Sequence, residues 1–398
     1  MDFQFGEKEE RLREDIRAFV RENLPSGFIG HRYEEEHSDE GWELALATSK
    51  KLSRKGWLTM SWPVEYGGMG ASVWEQVVYG EESGYWGLPG TRMGVSAVAW
   101  VGPSLMLFGT DEQKKKHLPV ISSGAPEGVW CTGYSEPDAG SDLANLQTRA
   151  ERDGDHYIIN GQKVWTSAAH RARWCWLAAR TDPNAAKKHH GISLFLVDMK
   201  SEGVSVRPLR NYVGFHYFNE IFFNNVRVPA TNLVGQENRG WYQLMRALAF
   251  ERGVAVSSVG ATRRLLEELI QYAKERGVFG KPQVRKALAD LAVDIEALRM
   301  CAYEAAWKAA KGMTVIYEPS RDKANNDTLI EKLGLVGTRI LGAYSQMDPL
   351  HKDSRWVRLK GAIEHLYWMA PGTAIAAGTT YTMRNIVAQF GLQLPKSY

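Results

Sequence analysis

Two short segments hold most of the chemistry legible in this chain. The first is Tyr134-Ser135-Glu136-Pro137-Asp138-Ala139-Gly140-Ser141-Asp142-Leu143, a turn-rich loop that presents hydroxyls and backbone N–H groups. The second is Asn160-Gly161-Gln162-Lys163-Val164-Trp165-Thr166-Ser167, which adds an indole and two more hydroxyls at the end of an expected strand. Small donors suit phosphates and the polar edge of a ring, and a flat aromatic can cover a ring face. Together the segments form a cradle for a flavin.

Around this cradle the sequence pattern changes twice. Residues 7–22 alternate charge with apolar positions Leu12, Ile16, Phe19 and Val20 at helical spacing. Ser38-Asp39 reads as a helix start for a segment reaching about residue 54. A turn at 62–70 precedes helices expected near 72–85, 94–108 and 111–122. From about Val129, β-rich runs follow at 146–150, 157–160, 174–179, 192–197, 204–208 and 219–228. Turn signals such as Asp153-Gly154-Asp155 and Asn160-Gly161 divide them, which predicts a small barrel or sandwich. Residues 180–190 read as polar and exposed. After Gly235 the pattern is helical: one long helix over 240–276, then 283–311, 325–345, 355–370 and 372–390. These suit a four-helix bundle with surface left for a partner. The expected fold class is α+β multidomain: an N-terminal α-helical domain at 1–127, a middle β-barrel or sandwich domain at 128–234, and a C-terminal four-helix bundle at 235–398.

The 398 residues suffice for two or three domains with ample core. A formal net charge of +3 excludes a strong nucleic-acid footprint but allows a local basic patch. Cys131, Cys175 and Cys301 have no metal-ligand spacing and cannot all pair, so no metal is expected and a reduced, cytoplasmic setting is. The N-terminus lacks the apolar core of a signal peptide, and no apolar run is long enough to span a membrane.

The two segments closely resemble the flavin-binding signature of the acyl-CoA dehydrogenase family. The resemblance implies FAD, with Ser135 on the pyrimidine edge of the isoalloxazine and Ser141 at the pyrophosphate. Trp165 and Ser167 would lie against the ring and its N5, and Tyr134, Gly140, Thr166 and Thr379 complete the implied cofactor contacts. Asp138 stands where the family loop has a glycine. A Ser/Gly loop or a core tryptophan alone would be ordinary; both segments at family-like spacing favour the cofactor reading. Arg276-Gly277-Val278-Phe279-Gly280 resembles the family's Arg-x-x-Phe-Gly element, in which Arg276 and Phe279 would reach the cofactor of a neighbouring subunit. A guanidinium suits a pyrophosphate because its planar fork donates two parallel hydrogen bonds. A basic helix end capped by Gly277 would need the same letters. Gly56-Trp57, the turn at 62–68, the stretch 218–229, Asn232-Leu233-Val234-Gly235 and Gly240-Trp241 extend the resemblance over nearly the whole chain.

The family reaction takes a proton from the α carbon of a thioester and a hydride from the β carbon. It needs a carboxylate of raised pKa and donors that polarise the thioester carbonyl. In many members the base is the Glu of a Tyr-Glu-Gly-Thr segment. Here the matching residues are Ala376-Ala377-Gly378-Thr379, and Ala377 takes the Glu position. The Ala377 N–H keeps an oxyanion role while the base role is lost; Gly378 and Arg252 are the other implied substrate contacts. Some relatives, notably those for branched or long acyl chains, carry the base on the first long helix of the last domain, where Glu251 falls. Its helical neighbours Ala247, Leu248, Val254 and Ala255 are apolar, the setting of a raised pKa. Structural pairing with Arg246 or Arg252 is the plainer alternative. Glu220, in a structural strand, and Glu364, on an ordinary amphipathic helix, are weaker candidates.

The resemblance therefore implies an FAD-dependent acyl-CoA dehydrogenase that passes electrons to an electron-transfer flavoprotein. The space left at Ala377 suits branched, cyclic or otherwise bulky acyl groups. The assembly would be a homotetramer, or a heterotetramer with a related chain. Three other readings stand beside it: a subunit whose active site a related chain completes, a flavin monooxygenase or oxidase on the same scaffold, and a purely structural interaction module, which would have no need of Ser135, Ser141, Trp165 and Ser167.

Overall fold

A computed structural model describes residues 5–25, 38–91, 97–212, 214–248, 254–348, 351 and 354–395. The chain divides into two units. One comprises Arg32–Ala71 and Pro89–Glu251; the other comprises Met1–His31, Ser72–Leu88 and Arg252–Tyr398. The helices met in chain order are α1 (Glu7–Asn23), α2 (Asp39–Arg54), α3 (Val73–Trp86), α4 (Gly102–Phe108) and α5 (Asp111–Ser122). The strands are β1 (Trp130–Gly133), β2 (Arg149–Asp153), β3 (His156–Ser167), β4 (Trp174–Arg180), β5 (Ile192–Asp198), β6 (Val204–Leu209) and β7 (Phe218–Pro229). Then come α6 (Gly240–Leu248), α7 (Val254–Glu275), α8 (Pro282–Ala310), α9 (Glu318–Leu341), α10 (Ala362–Ile375) and α11 (Thr380–Ile386).

The first unit is built around the sheet. Its strand order is β1-β4-β2-β3-β7-β6, with β5 also on β4. Strand β4 is buried on both faces, and its side chains alternate between two cores. Trp176 and Ala178 join Trp62, Leu105, Leu118, Ile121 and Trp130. Cys175 and Leu177 join Cys131, Ile159, Phe195 and Ile221. Two helices of this unit begin as expected. Ser38 caps α2 by accepting from the Gly41 N–H at 2.9 Å. Thr110 and Gln113 exchange hydrogen bonds at the start of α5.

The second unit is helical. Leu269, Leu291, Ile295, Leu333 and Ile363 form the centre of its bundle, drawn from α7 to α10. Backbones of α3 and α7 approach closely through glycines. A Cβ on Gly84 would sit 2.0 Å from the Ser257 carbonyl oxygen, and one on Gly260 would sit 2.2 Å from that of Glu81. Arg13 and Arg17 of α1 both donate to the buried Glu82 of α3.

Several expected boundaries moved. The short strand expected at 157–160 is the start of the twelve-residue β3. Asn160-Gly161 is not a turn but a register shift inside it, where Asn160 exchanges hydrogen bonds with Asn225 of β7. The parallel partner β1 was not expected; four residues carry too little periodicity to announce a strand. The helix expected over 240–276 is described as α6 and α7, with 249–253 outside the described residues. Helix α9 starts at Glu318 rather than 325, because the Glu318 carboxylate accepts from the Ile316 N–H and Lys308 and fixes that end. The break expected at Pro371 falls later: α10 runs through Pro371 to Ile375, and the turn before α11 holds residues 376–379.

Candidate active site

The loop 134–143 is held by an ion pair that the sequence reading passed over. Glu136 accepts from the Gln147 and Thr148 N–H groups at 2.5 and 2.8 Å and from Lys163 Nζ at 2.7 Å. Lys163, with 0% of its surface exposed, also donates to the Tyr134 carbonyl at 3.0 Å. Burial pulls the Lys163 ammonium down to about 8. Burial also opposes the charge on Glu136, but Lys163 and the N–H donors outweigh it and hold the carboxyl below its ordinary range. A backbone pair between Glu136 and Ala139 closes the turn. Gly140 and Ser141 are exposed and Ser135 is half-buried. A Cβ added to Gly140 would meet no atom of the described residues within 4 Å, so none of them fills that approach. The available signal was Lys163 directly before the apolar pair Val164-Trp165, with Glu136 in the neighbouring loop.

Strand β3 then changes course. Its pairing with β7 shifts between Lys163 and Thr166. Val164 donates instead to the Ser135 carbonyl at 2.9 Å, tying strand to loop. Trp165 takes φ +60°, a conformation strained for an aromatic residue, and its indole is 58% exposed. A bulge of this kind re-aims a side chain. The next residue, Thr166, is buried, and its hydroxyl has no hydrogen-bond partner among the described residues. Ser167 is half-buried at the strand end. Buried Asn219 on β7 donates to the Thr166 carbonyl at 3.1 Å and to His170 Nδ1 at 3.2 Å, and accepts from His216 Nε2 at 2.8 Å. His170 stacks on His216, and burial with that neighbour lowers its pKa to about 4.

The remaining expected residues, Glu251 apart, lie in the other unit. Arg276 follows α7, exposed, with its guanidinium 5.5 Å from the Tyr344 ring centre. Gly277 has φ +67°, and Val278 and Phe279 donate back to Ala273, a glycine-capped helix end. Phe279 packs partly buried against the bundle core. Ala377 and Gly378 have φ +53° and +85°, and Thr379 caps α11 by accepting from the Thr382 N–H. For an alanine that conformation costs on the order of 1 kcal/mol. Neither Ala377 nor Gly378 donates a backbone hydrogen bond among the described residues. Glu251 and Arg252 lie outside the described residues. Glu364 is not on an ordinary amphipathic face: it is wholly buried, both carboxylate oxygens lack partners among the described residues, and burial raises its pKa to about 7.

An aromatic aimed outward, an unpartnered buried hydroxyl and an open glycine-serine loop meet along one strand-loop junction. The set fits a flavin: a flat face for the ring, a hydroxyl for its polar edge, and small donors for phosphates. Comparison with known proteins agrees. Residues 6–125 match the N-terminal domain of acyl-CoA dehydrogenases, 131–226 the middle domain and 238–392 the C-terminal domain. The chain belongs to the acyl-CoA dehydrogenase family; it is an oxidoreductase acting on acyl-CoA, with FAD as its cofactor. It is 32% identical to the acyl-CoA dehydrogenase IpdE1 of Mycobacterium tuberculosis, over 97% of this chain and 98% of that one. Among solved structures it is similar to the "Tcur3481-Tcur3483 steroid ACAD", at 35% identity and TM-score 0.90 over 100% of both chains. It is also similar to the ChsE4-ChsE5 complex from Mycobacterium tuberculosis, at 32% identity and TM-score 0.87 over 100% of both chains. No described helix is long and apolar enough to cross a membrane.

Proposed function

We propose that this chain carries out α,β-dehydrogenation of a bulky acyl-CoA thioester and passes the electrons to an electron-transfer flavoprotein. The observation that carries the reading is the Trp165–Thr166 bulge, which presents an indole face beside an unpartnered hydroxyl. Bound FAD would supply the two-electron acceptor for the hydride that leaves the β carbon. Ser135 and Ser141 hold its ring edge and phosphates, Trp165 and Ser167 frame the ring, and Arg276 and Phe279 serve the cofactor of a second subunit. Glu251 takes the α proton. The Ala377 N–H, which bonds no backbone carbonyl among the described residues, donates to the thioester carbonyl and spreads the charge that develops there. Alanine at 377 leaves room beside the α carbon, and a structure named for a steroid enzyme is among the similar ones. A fused-ring or otherwise bulky acyl group is the substrate we infer.

The test is the visible spectrum of the FAD-loaded protein, followed anaerobically as straight, branched and polycyclic acyl-CoAs are added. Bleaching by the bulky members supports the reading, and bleaching only by short straight chains overturns the substrate class. Glu251→Gln should keep its flavin colour and lose bleaching; a fully active Gln variant removes Glu251 from the role.

A second reading rests on the missing carboxylate at Ala377 and on the two-chain names of the similar structures. In it, a related chain shares the assembly and completes the site. A chain that is colourless alone and gains FAD with that partner would favour it.

A further inference from the structure

We propose that Asp327 is a positioning residue for the turn that carries the Ala377 N–H, holding both ends of that turn to α9. The inference rests on the dehydrogenase reading above and names what aims its oxyanion donor. Asp327 lies within α9 and is 1% exposed. Its Oδ2 accepts from Thr380 Oγ1 and from Lys323 Nζ, each at 2.6 Å. Thr380 is the first residue of α11. Its hydroxyl also lies 3.3 Å from the Ala374 carbonyl, but its one proton goes to the nearer acceptor. Lys323 stands one turn before Asp327 and also donates to the Thr373 carbonyl, near the end of α10, at 3.0 Å. One carboxylate oxygen therefore ties down the chain on each side of residues 376–379.

Two observations give this clamp a task beyond joining helices. First, the turn is strained and holds itself poorly. Ala377 and Gly378 both take left-handed φ, and neither donates a backbone hydrogen bond among the described residues. Ala376 and Ala377 are exposed, so packing on them contributes little. An alanine keeps such a conformation where its surroundings over-determine it. The constraint comes from the flanks: Thr373 and Thr380 are held to α9, and Thr379 accepts from the Thr382 N–H at 3.1 Å. Second, the clamp is made of a group that burial disfavours. Asp327 Oδ1 has no hydrogen-bond partner among the described residues, and a buried carboxylate with an empty oxygen opposes folding. Leu329 and Leu333 of the same helix join the bundle through apolar contact alone. A hydrogen-bonded carboxylate adds direction, which apolar contact lacks. Direction is what an oxyanion donor needs, because it acts only when aimed at the oxygen on which charge develops.

The experiment follows anaerobic flavin bleaching by stopped flow in the FAD-loaded protein. The substrate is the member of the straight, branched and polycyclic acyl-CoA panel that bleaches the native protein fastest. Thr380→Val removes the hydroxyl and leaves Asp327 with Lys323. Its limiting bleaching rate should fall about tenfold, with the half-saturating concentration changed by less than about twofold, because the lost aim matters only as charge develops. Thr380→Ser keeps the hydroxyl and should bleach within about twofold of the native rate. Asp327→Asn should be slowed at least as much as Thr380→Val, and the double variant no further than Asp327→Asn alone. Retained flavin absorbance shows that each variant is folded; should Asp327→Asn lose its flavin, the two Thr380 variants decide. A native rate in Thr380→Val, a serine variant as slow as the valine one, or a change confined to the half-saturating concentration overturns the inference and leaves the dehydrogenase reading intact. If no acyl-CoA bleaches the native protein, that reading fails and the inference with it.

Discussion

At the scale of single residues, Thr166 and Glu364 are both buried with unpartnered oxygens, and the physics separates them. Thr166 follows an outward-turned indole at the junction expected to carry the cofactor. Thr166→Val should leave the apoprotein as stable or up to about 1 kcal/mol more stable, because an unsatisfied hydroxyl is removed. FAD affinity should fall about tenfold, read by flavin fluorescence on dilution; unchanged affinity would take the hydroxyl out of the site. Glu364 packs within the helical bundle, away from solvent. Its pKa of about 7 lies above the ordinary carboxylate value. Between those values the folded chain keeps a proton that the unfolded chain has released, so this contribution to stability falls as pH rises from about 4.5 to 7. Glu364→Gln should remove that slope and be the more stable protein at pH 8, by up to roughly 3 kcal/mol. Urea unfolding at pH 5 and pH 8 checks this; parallel pH profiles for the two proteins would count against it.

At the scale of elements, the strand-loop junction works as one piece. The Glu136–Lys163 pair fixes the loop to β3, and Asn219 fixes the end of β3 to β7. Lys163→Met leaves Glu136 charged and buried without its cation, which should cost about 3–5 kcal/mol. The melting temperature should fall and flavin retention should fall with it; a variant as stable as the parent would make the pair dispensable. Asn219→Leu removes the donor to the Thr166 carbonyl but none of the residues expected to touch the cofactor. It should weaken FAD binding several-fold while leaving the sheet core folded, as read by tryptophan fluorescence and flavin release. If FAD is held as tightly as before, the β7 buttress does not position the site.

At the scale of the whole molecule, compact units do not follow chain order. Residues 72–88 group with the C-terminal helices, while 32–71 group with the sheet. Small residues at Gly84 and Gly260 allow α3 to meet α7, and no linear pattern reports a contact between helices so far apart in sequence. Exposed Tyr381, Phe390, Leu392 and Leu394 near the chain's end leave apolar surface on the bundle unit. Co-expression with a related chain from the same genome, followed by size and flavin content, should give a larger, FAD-loaded species if the two-chain reading holds. Identical size and colour with and without the second chain would favour a homo-oligomer.

The sequence by itself determined the order of helical and β segments, the loop and strand that meet at the cradle, and the absence of a carboxylate at Ala377. Those features are local: hydrophobic period, turn residues and side-chain type are all present in a short stretch of letters. It also carried the family signature, whose motifs each lie within a dozen residues. Only the tertiary structure decided that Asn160-Gly161 is a bulge and that Trp165 turns outward, because both depend on pairing with β7, which lies more than fifty residues on. The same holds for the ion pair at Lys163, the turn at Ala377 and the isolation of Glu364. A buried charge, a strained backbone angle and a lost water shell are products of what packs around a residue, and packing joins positions that the linear pattern keeps apart.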